Sequence, residues 1–339
     1  MLWFVGLGVC PPGSIPAAAA RILESADMVY LETFTSPVAP SACVADARPA
    51  PRWMVEDGRE ILDNAARSTV VLASYGDPMV ATTHAELRAR AISRGICTGA
   101  VHASSVASAV FGECGLHHYK AGRTATIMDD AKATLTPYQT TYRNAVSGNH
   151  TLLLLEYDAG RGFFLDPGTA LRMMREAEAG QMRGVFSEDA YVVVASRVGM
   201  PEQRIRAGRL AGMERHDYGE PPHSIVVPGP LHFTERDALM VLAECGEEPP
   251  PEGHSIQSIP HQMMQKYAPA VRQAAGGIPD PGRYQTILEN ALLYVRDAER
   301  ALEEGHDEVA VLSIGYADGL VDALRMQLNL GEWSPDTKM

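Results

Sequence analysis

Lysine is nearly absent from this chain. Lys120, Lys132, Lys266 and Lys338 are the only four among 29 basic residues, and none of them follows a glycine. That excludes a Gly-Lys-Ser/Thr phosphate loop. Positive charge is short overall: 42 acidic residues leave a net charge of −13, which argues against wrapping bare DNA or RNA. Cysteine is limited to Cys10, Cys43, Cys97, Cys114 and Cys245, an odd number with no CxxC spacing. This excludes a disulfide framework and a cysteine zinc knuckle, and fits a reducing cytoplasm. There is no HExxH, and His84-Ala85-Glu86 lacks the downstream Pro-Cys-x-x-Cys of a zinc deaminase. Eleven histidines stand without ligand spacing, so no metal is expected. No apolar run approaches the ~20 residues that span a bilayer, so no membrane segment is expected. The apolar opening Met1 to Cys10 has no basic n-region, the first charge being Arg21. With Gly6 and Gly8 interrupting it, this reads as a buried strand rather than a leader.

The 339 residues, 46% hydrophobic and 21% charged, suffice for two or three domains around large cores. Residues 1–112 alternate strand and helix patterns. Strands are expected at Leu2 to Val5, Met28 to Leu31, Thr69 to Ala73 and Cys97 to Val101. Helices are expected from a Ser14 cap to Ser25, from an Asp57/Glu60 capping box to Arg67, and over Ala81 to Arg94. Such alternation predicts a mostly parallel sheet covered on both faces. Residues 113–246 bring strand-like runs closer together, at Thr124 to Met128, Thr151 to Leu155, Tyr191 to Ala195 and Ser224 to Val227. Asp166-Pro167 starts a helix over Gly168 to Ala177, and a mixed sheet in a second α/β domain follows. Residues 247–281 read as a linker with a short helix at 261–274, bounded by Glu-Glu-Pro-Pro-Pro-Glu-Gly and a Gly/Pro-rich break.

Residues 282–331 read as a helical hairpin. Leu288, Ala291, Val295, Ala298 and Leu302 repeat at helical spacing, Gly305 stops the first helix, and Asp307 caps the next. The second helix carries Val309, Leu312, Ile314, Leu320, Val321 and Leu324, more apolar residues than one partner helix covers.

Three glycine-containing or small-residue stretches follow strands of the first domain: Gly6-Leu7-Gly8, Tyr75-Gly76-Asp77-Pro78-Met79-Val80 and His102-Ala103-Ser104-Ser105-Val106. The carboxyl ends of strands in an open α/β sheet are where ligands bind. Each stretch alone is an ordinary turn; three on one edge predict a crevice.

These stretches also carry a family resemblance. Val5-Gly6-Leu7-Gly8, Tyr30-Leu31-Glu32-Thr33-Phe34-Thr35-Ser36 and Gly76-Asp77-Pro78-Met79-Val80-Ala81-Thr82-Thr83-His84 resemble the diphthine synthases. His102-Ala103-Ser104-Ser105, Gly115-Leu116, Tyr119-Lys120, His150-Thr151-Leu152-Leu153, Gly219-Glu220-Pro221-Pro222-His223-Ser224 and Val227-Pro228-Gly229 continue it through residue 245. The resemblance implies two α/β domains of the tetrapyrrole-methylase type with S-adenosylmethionine in the cleft between them, and a homodimer. It also implies an N-methyltransferase that converts 2-(3-amino-3-carboxypropyl)histidine on translation elongation factor 2 to diphthine. By position, the cofactor contacts it implies are Val9, Asp77, Val80, Ser105, Val106, Leu155, Val198 and His223. Val9 and Val106 stand where leucine or isoleucine is usual, and residues 55–59 and 128–136 follow the family pattern only loosely. No catalytic base is nominated, Glu156 and His223 being read as structural. The alternatives are a methyltransferase of the same fold acting on a precorrin or ribosomal RNA, and a non-catalytic partner-binding protein. The closing helices, with Ile314-Gly315-Tyr316-Ala317-Asp318-Gly319-Leu320, resemble a small archaeal helical domain of unknown function.

Overall fold

The computed structural model describes residues 1–36, 44–158, 161–250, 256 and 258–330. Cys43, the linker residues Pro251 to Gly253 and residue 331 lie outside this set. The chain divides into two compact units, Met1–Ala179 with Val185–Ser255, and Gly180–Gly184 with Ile256–Met339.

The first unit opens with β1 (Leu2–Gly6), α1 (Ala17–Ser25), β2 (Met28–Glu32), β3 (Arg48–Ala50), α2 (Arg52–Asp57), α3 (Arg59–Ala65), β4 (Val70–Ser74), α4 (His84–Ser93), β5 (Thr98–Val101) and α5 (Val106–Glu113). Its strands pair in parallel in the order β3-β2-β4-β1-β5. β1 and β4 are buried on both faces, which is why their sequences are unbroken apolar runs. One face packs Phe4, Tyr30, Leu72 and Leu87; the other packs Val5, Leu31, Val71 and Ala73.

Two local expectations change. Ser14 does not cap α1, which begins after Pro16 with no side-chain cap. Its hydroxyl instead donates to the Leu7 carbonyl (2.8 Å) and accepts from the Cys10 N–H (2.9 Å), stitching the loop after β1. Nor is there one helix from Asp57: Gly58, left-handed at φ 64°, ends α2 and precedes α3.

The second half of this unit holds β6 (Ala125–Ile127), α6 (Leu135–Val146), β7 (Thr151–Leu155), the ribbon β8 (Tyr157–Asp158) and β9 (Phe163–Phe164), and α7 (Pro167–Gln181). β10 (Tyr191–Ser196), β11 (Arg204–Arg209), α8 (Leu210–Met213), β12 (His223–Val227), α9 (Phe233–Leu242) and β13 (Glu244–Cys245) follow. A mixed six-stranded sheet forms in the order β13-β11-β10-β12-β7-β6, antiparallel at its centre. Asp166 caps α7 as expected, its Oδ2 accepting from the Thr169 N–H at 3.0 Å. β11 escaped the sequence reading because Arg204, Arg206 and Arg209 break its hydrophobic pattern.

The second unit is a three-helix arrangement of α10 (Ile259–Gly276), α11 (Gln285–Glu303) and α12 (Asp307–Gln327) around one core. α10 lies where the sequence reading put a short helix within a linker. It adds Met264, Ala268, Val271 and Ala274 to the core of Leu288, Ala291, Val295, Ile314, Val321 and Leu324. Val309 and Leu312 point outward.

Candidate functional site

The carboxyl ends of β1, β4 and β5 converge. The loop after β1 and the loop after β4 exchange two backbone hydrogen bonds, Gly8 N–H to Gly76 O (3.2 Å) and Gly76 N–H to Gly8 O (3.0 Å). Gly6 sits at the closest approach: a Cβ there would lie 2.6 Å from Gly76 O, 2.8 Å from Ala103 Cβ and 2.9 Å from Pro78 Cδ. Any side chain would pry the three loops apart. Gly76 adopts φ +75°, and beyond its Cα there is open space, Ser104 O being 4.0 Å from where a Cβ would stand. A backbone bare on that side is accessible to a ligand.

Asp77 ties the loops together. It is buried, its Oδ1 accepts from the Met79 N–H (2.8 Å), and its Oδ2 accepts from His102 Nδ1–H (2.9 Å) and the Ala103 N–H (3.1 Å). A carboxylate has roughly four acceptor directions, so three are spent inside the protein. The family resemblance implies a cofactor contact for Asp77; the geometry makes it in addition the clamp of the crevice. Ser105 is similarly engaged, capping α5 through the Ala107 N–H (3.3 Å), and Val106 begins that helix.

Val9 connects the two halves of the unit. Its N–H donates to Ser104 Oγ (3.2 Å), its carbonyl accepts from the Tyr75 hydroxyl, and its side chain packs where a Cβ on Gly199 would stand. Val198, beside Gly199, is buried in the core of the second half, against which Val106 also packs. His223 lies on the same side. Arg197 N–H donates to Pro222 O (2.8 Å), and Ser196 Oγ lies 2.9 Å from His223 Nδ1. Val80 is exposed beside the Asp77 turn, and Leu155 ends β7, the strand next to β12. Ala81 and Arg197, on either side of this crevice, hold φ 57° and 52° without being glycines. Such conformations persist where the surroundings impose them, and they cluster at functional sites.

Both nitrogens of His223 are used. Nε2 faces the Gly219 carbonyl (3.1 Å), an obligate acceptor, so Nε2 carries the hydrogen and Nδ1 accepts from the Ser196 hydroxyl. Burial pushes its pKa below the ordinary imidazole value, so the ring is neutral. Glu156 is also committed, its Oε2 accepting from the Asp129 N–H at 2.6 Å. Neither residue is placed as a free base.

Two polar clusters escaped the sequence reading. Glu235, whose side chain is fully buried, accepts from Lys120 Nζ (2.6 Å), His150 Nε2–H (2.8 Å) and the backbone N–H groups of His117 and His232 (both 2.8 Å). Burial opposes its charge, but the hydrogen bonds from Lys120, the two amides and His150 prevail and hold its pKa at about 2. His150 is held in turn by the Gly229 N–H at Nδ1 (2.9 Å), and burial lowers its pKa. Lys120 and His150 were visible as motif residues; their common partner, 85 positions beyond His150, was not. The second cluster is Glu32 with His84, both fully buried, beneath the Asp77 turn.

Comparison with known proteins fits this geometry. Residues 1–214 match the Tetrapyrrole (Corrin/Porphyrin) Methylases model, and residues 264–330 match a protein family of unknown function, DUF357. Diphthine synthase of Methanosarcina mazei is 35% identical over 268 residues, covering 73% of this chain and 98% of that protein. Diphthine synthase of Methanocella arvoryzae is 36% identical, covering 72% and 98%. A diphthine synthase crystal structure superposes with a TM-score of 0.64 at 31% identity, covering 72% of this chain and 96% of that one.

Proposed function

We propose, from the premise that this chain belongs to the diphthine synthase branch of the tetrapyrrole methylase family, a specific reaction for a protein that is a methyltransferase. The reaction is S-adenosylmethionine-dependent N-methylation of 2-(3-amino-3-carboxypropyl)histidine on translation elongation factor 2, giving diphthine. The observation that carries the cofactor assignment is the convergence of the loops after β1, β4 and β5 on one open crevice. The bare face of Gly76 admits a ligand against the backbone, the exposed Val80 supplies an apolar wall, and Asp77 retains one acceptor direction. These features suit a group with a flat base, ribose hydroxyls and an amino-acid end. Val9, Asp77, Val80, Ser105, Val106, Leu155, Val198 and His223 are the residues we assign to its site.

When bound, S-adenosylmethionine supplies an electrophilic methyl group. The chain's own residues have a modest chemical task. An α-amino group has a reference pKa near ~7.7–8.0, so a useful fraction of the acceptor is already unprotonated near neutral pH. Removing a proton is therefore not the hard step; holding the amine in line is. The commitment of His223 and Glu156 to internal hydrogen bonds accords with a site that positions rather than abstracts. Reach of the acceptor requires that elongation factor 2 present it on a protruding loop. We assign the protein to the cytoplasm as a homodimer; among the described residues no helix is long and apolar enough to cross a membrane.

The test is mass spectrometry of elongation factor 2 carrying the aminocarboxypropyl histidine, incubated with this protein and S-adenosylmethionine. Whole methyl increments on the modified histidine are expected. Cofactor binding without any increment, or methylation of ribosomal RNA instead, would overturn the assignment.

A further inference from the structure

We propose that Glu32 and His84 are positioning residues of the cofactor crevice, forming a buried relay that sets the Asp77–Val80 turn from beneath. The inference rests on the cofactor site assigned above. His84 opens α4, and Glu32 closes β2 next to β4, the strand that delivers the turn. His84 Nδ1 lies 2.8 Å from the Pro78 carbonyl, so this nitrogen donates. The same carbonyl accepts from Thr82 Oγ1 at 2.7 Å. His84 Nε2 stands 2.9 Å from Glu32 Oε2, and both side chains are entirely removed from solvent. Pro78 is the residue between Asp77, which clamps the three loops, and Met79, whose N–H Asp77 holds.

The chemistry is costly to keep. Two titratable groups share a dry site, and neither Glu32 oxygen, nor His84 Nε2, nor the buried Ser74 Oγ at the end of β4 has a well-aligned hydrogen-bond partner among the described residues. A buried carboxylate beside one imidazole is weak support for stability, because desolvation offsets the attraction. A core that needed only packing would be at least as well served by apolar residues here. What the pair provides is direction: Glu32 Oε2, 2.9 Å from Nε2, fixes which way the ring faces, so that Nδ1 presents its N–H to a carbonyl of the cofactor turn. The Phe4 ring packs beside that of His84, their centroids 5.9 Å apart.

Side-chain isosteres separate positioning from bulk stability. The Asn amide overlays Nδ1 of histidine and can still donate to Pro78; leucine cannot. S-adenosylhomocysteine binding by calorimetry and thermal melting are measured on the full chain carrying His84→Asn, His84→Leu, Glu32→Gln or Glu32→Leu. His84→Asn and Glu32→Gln are expected to stay within about threefold of the parent affinity. His84→Leu and Glu32→Leu are expected to lose tenfold or more, with affinity not tracking the melting temperature across the four. Equal affinity in all four variants, or losses that simply follow melting temperature, would overturn the proposal. Should the leucine variants not fold, nitrogen-resolved NMR of the parent decides. The His84 Nδ1–H signal is expected to resist solvent exchange and to shift on adding S-adenosylhomocysteine; a signal indifferent to the ligand would refute the relay. Failure of the parent to bind S-adenosylhomocysteine would instead sink the cofactor assignment itself.

Discussion

Asp77→Asn replaces one oxygen of the clamp by an amide NH2 and leaves the volume unchanged. The remaining oxygen can keep the Met79 N–H. The new NH2 then faces two donors, the Ala103 N–H and His102 Nδ1–H. His102 is largely exposed and can answer by moving its proton to Nε2, so Nδ1 becomes an acceptor. The Ala103 amide has no such option. Leaving a buried N–H unmade costs about 1–3 kcal/mol, and the surviving bond to Met79 loses its charge assistance, about 0.5–1 kcal/mol more. The total is about 1.5–4 kcal/mol, and its destination depends on the loops. If the crevice keeps its shape without ligand, the loss appears in folding stability. If the loops relax, stability is spared and S-adenosylhomocysteine affinity falls instead, by up to several hundredfold. Denaturant unfolding and calorimetry on the same variant therefore share one total. Finding both unchanged would show that Asp77 does not clamp the three loops.

Other expectations follow from the same geometry. Gly6→Ala forces a methyl into contacts at 2.6–2.9 Å, so it should separate the loops, weaken S-adenosylhomocysteine binding at least tenfold, and destabilise by about 1–3 kcal/mol. Glu235 has a folded pKa of about 2 against an ordinary value of 4.5, a contribution of about 3 kcal/mol. Because the folded value is the lower one, that contribution is complete above pH 4.5 and is lost as pH falls from 4.5 towards 2. Glu235→Gln should remove this acid-dependent loss and, by stranding Lys120 and His150, cost about 3–5 kcal/mol at neutral pH in denaturant unfolding. His150 and His223 are buried with pKa values lowered from 6.5, so the unfolded chain binds their protons first. Stability should begin to fall as pH drops below about 6.5, and the pair of single His→Gln variants should flatten that slope. In the helical unit, Ile314→Ala should cost about 2–5 kcal/mol, read as earlier loss of the far-ultraviolet helix signal.

Composition and pattern determined a great deal. Unbroken apolar runs at Leu2, Val70 and Tyr191 read as doubly buried strands, being five or six residues long, rich in β-branched or aromatic residues and too short for a buried helix. Asp166-Pro167 predicted a helix start, because a side-chain acceptor and a residue without an N–H together satisfy a bare helix end. Glycines directly after strands pointed to the crevice, because the loops there approach too closely for a Cβ, as at Gly6. Local chemistry of this kind is written in neighbouring residues and is legible without a fold.

What tertiary structure decided is everything that depends on which distant groups meet. Nothing in the sequence says that Ser14 would abandon α1 for the Leu7 carbonyl, since a serine hydroxyl can serve either a helix cap or a loop. Asp77 reads as a free acceptor until His102 and Ala103, from the loop after β5, bond its Oδ2 and make it the clamp of the crevice as well. Glu235, Lys120 and His150 are unremarkable singly, and Glu32 and His84 read as ordinary motif letters 52 positions apart. Only the packing of helices and loops against the paired strands brings these groups together and shuts water out, and it is the exclusion of water that turns a scattered carboxylate and a scattered imidazole into a fixed pair.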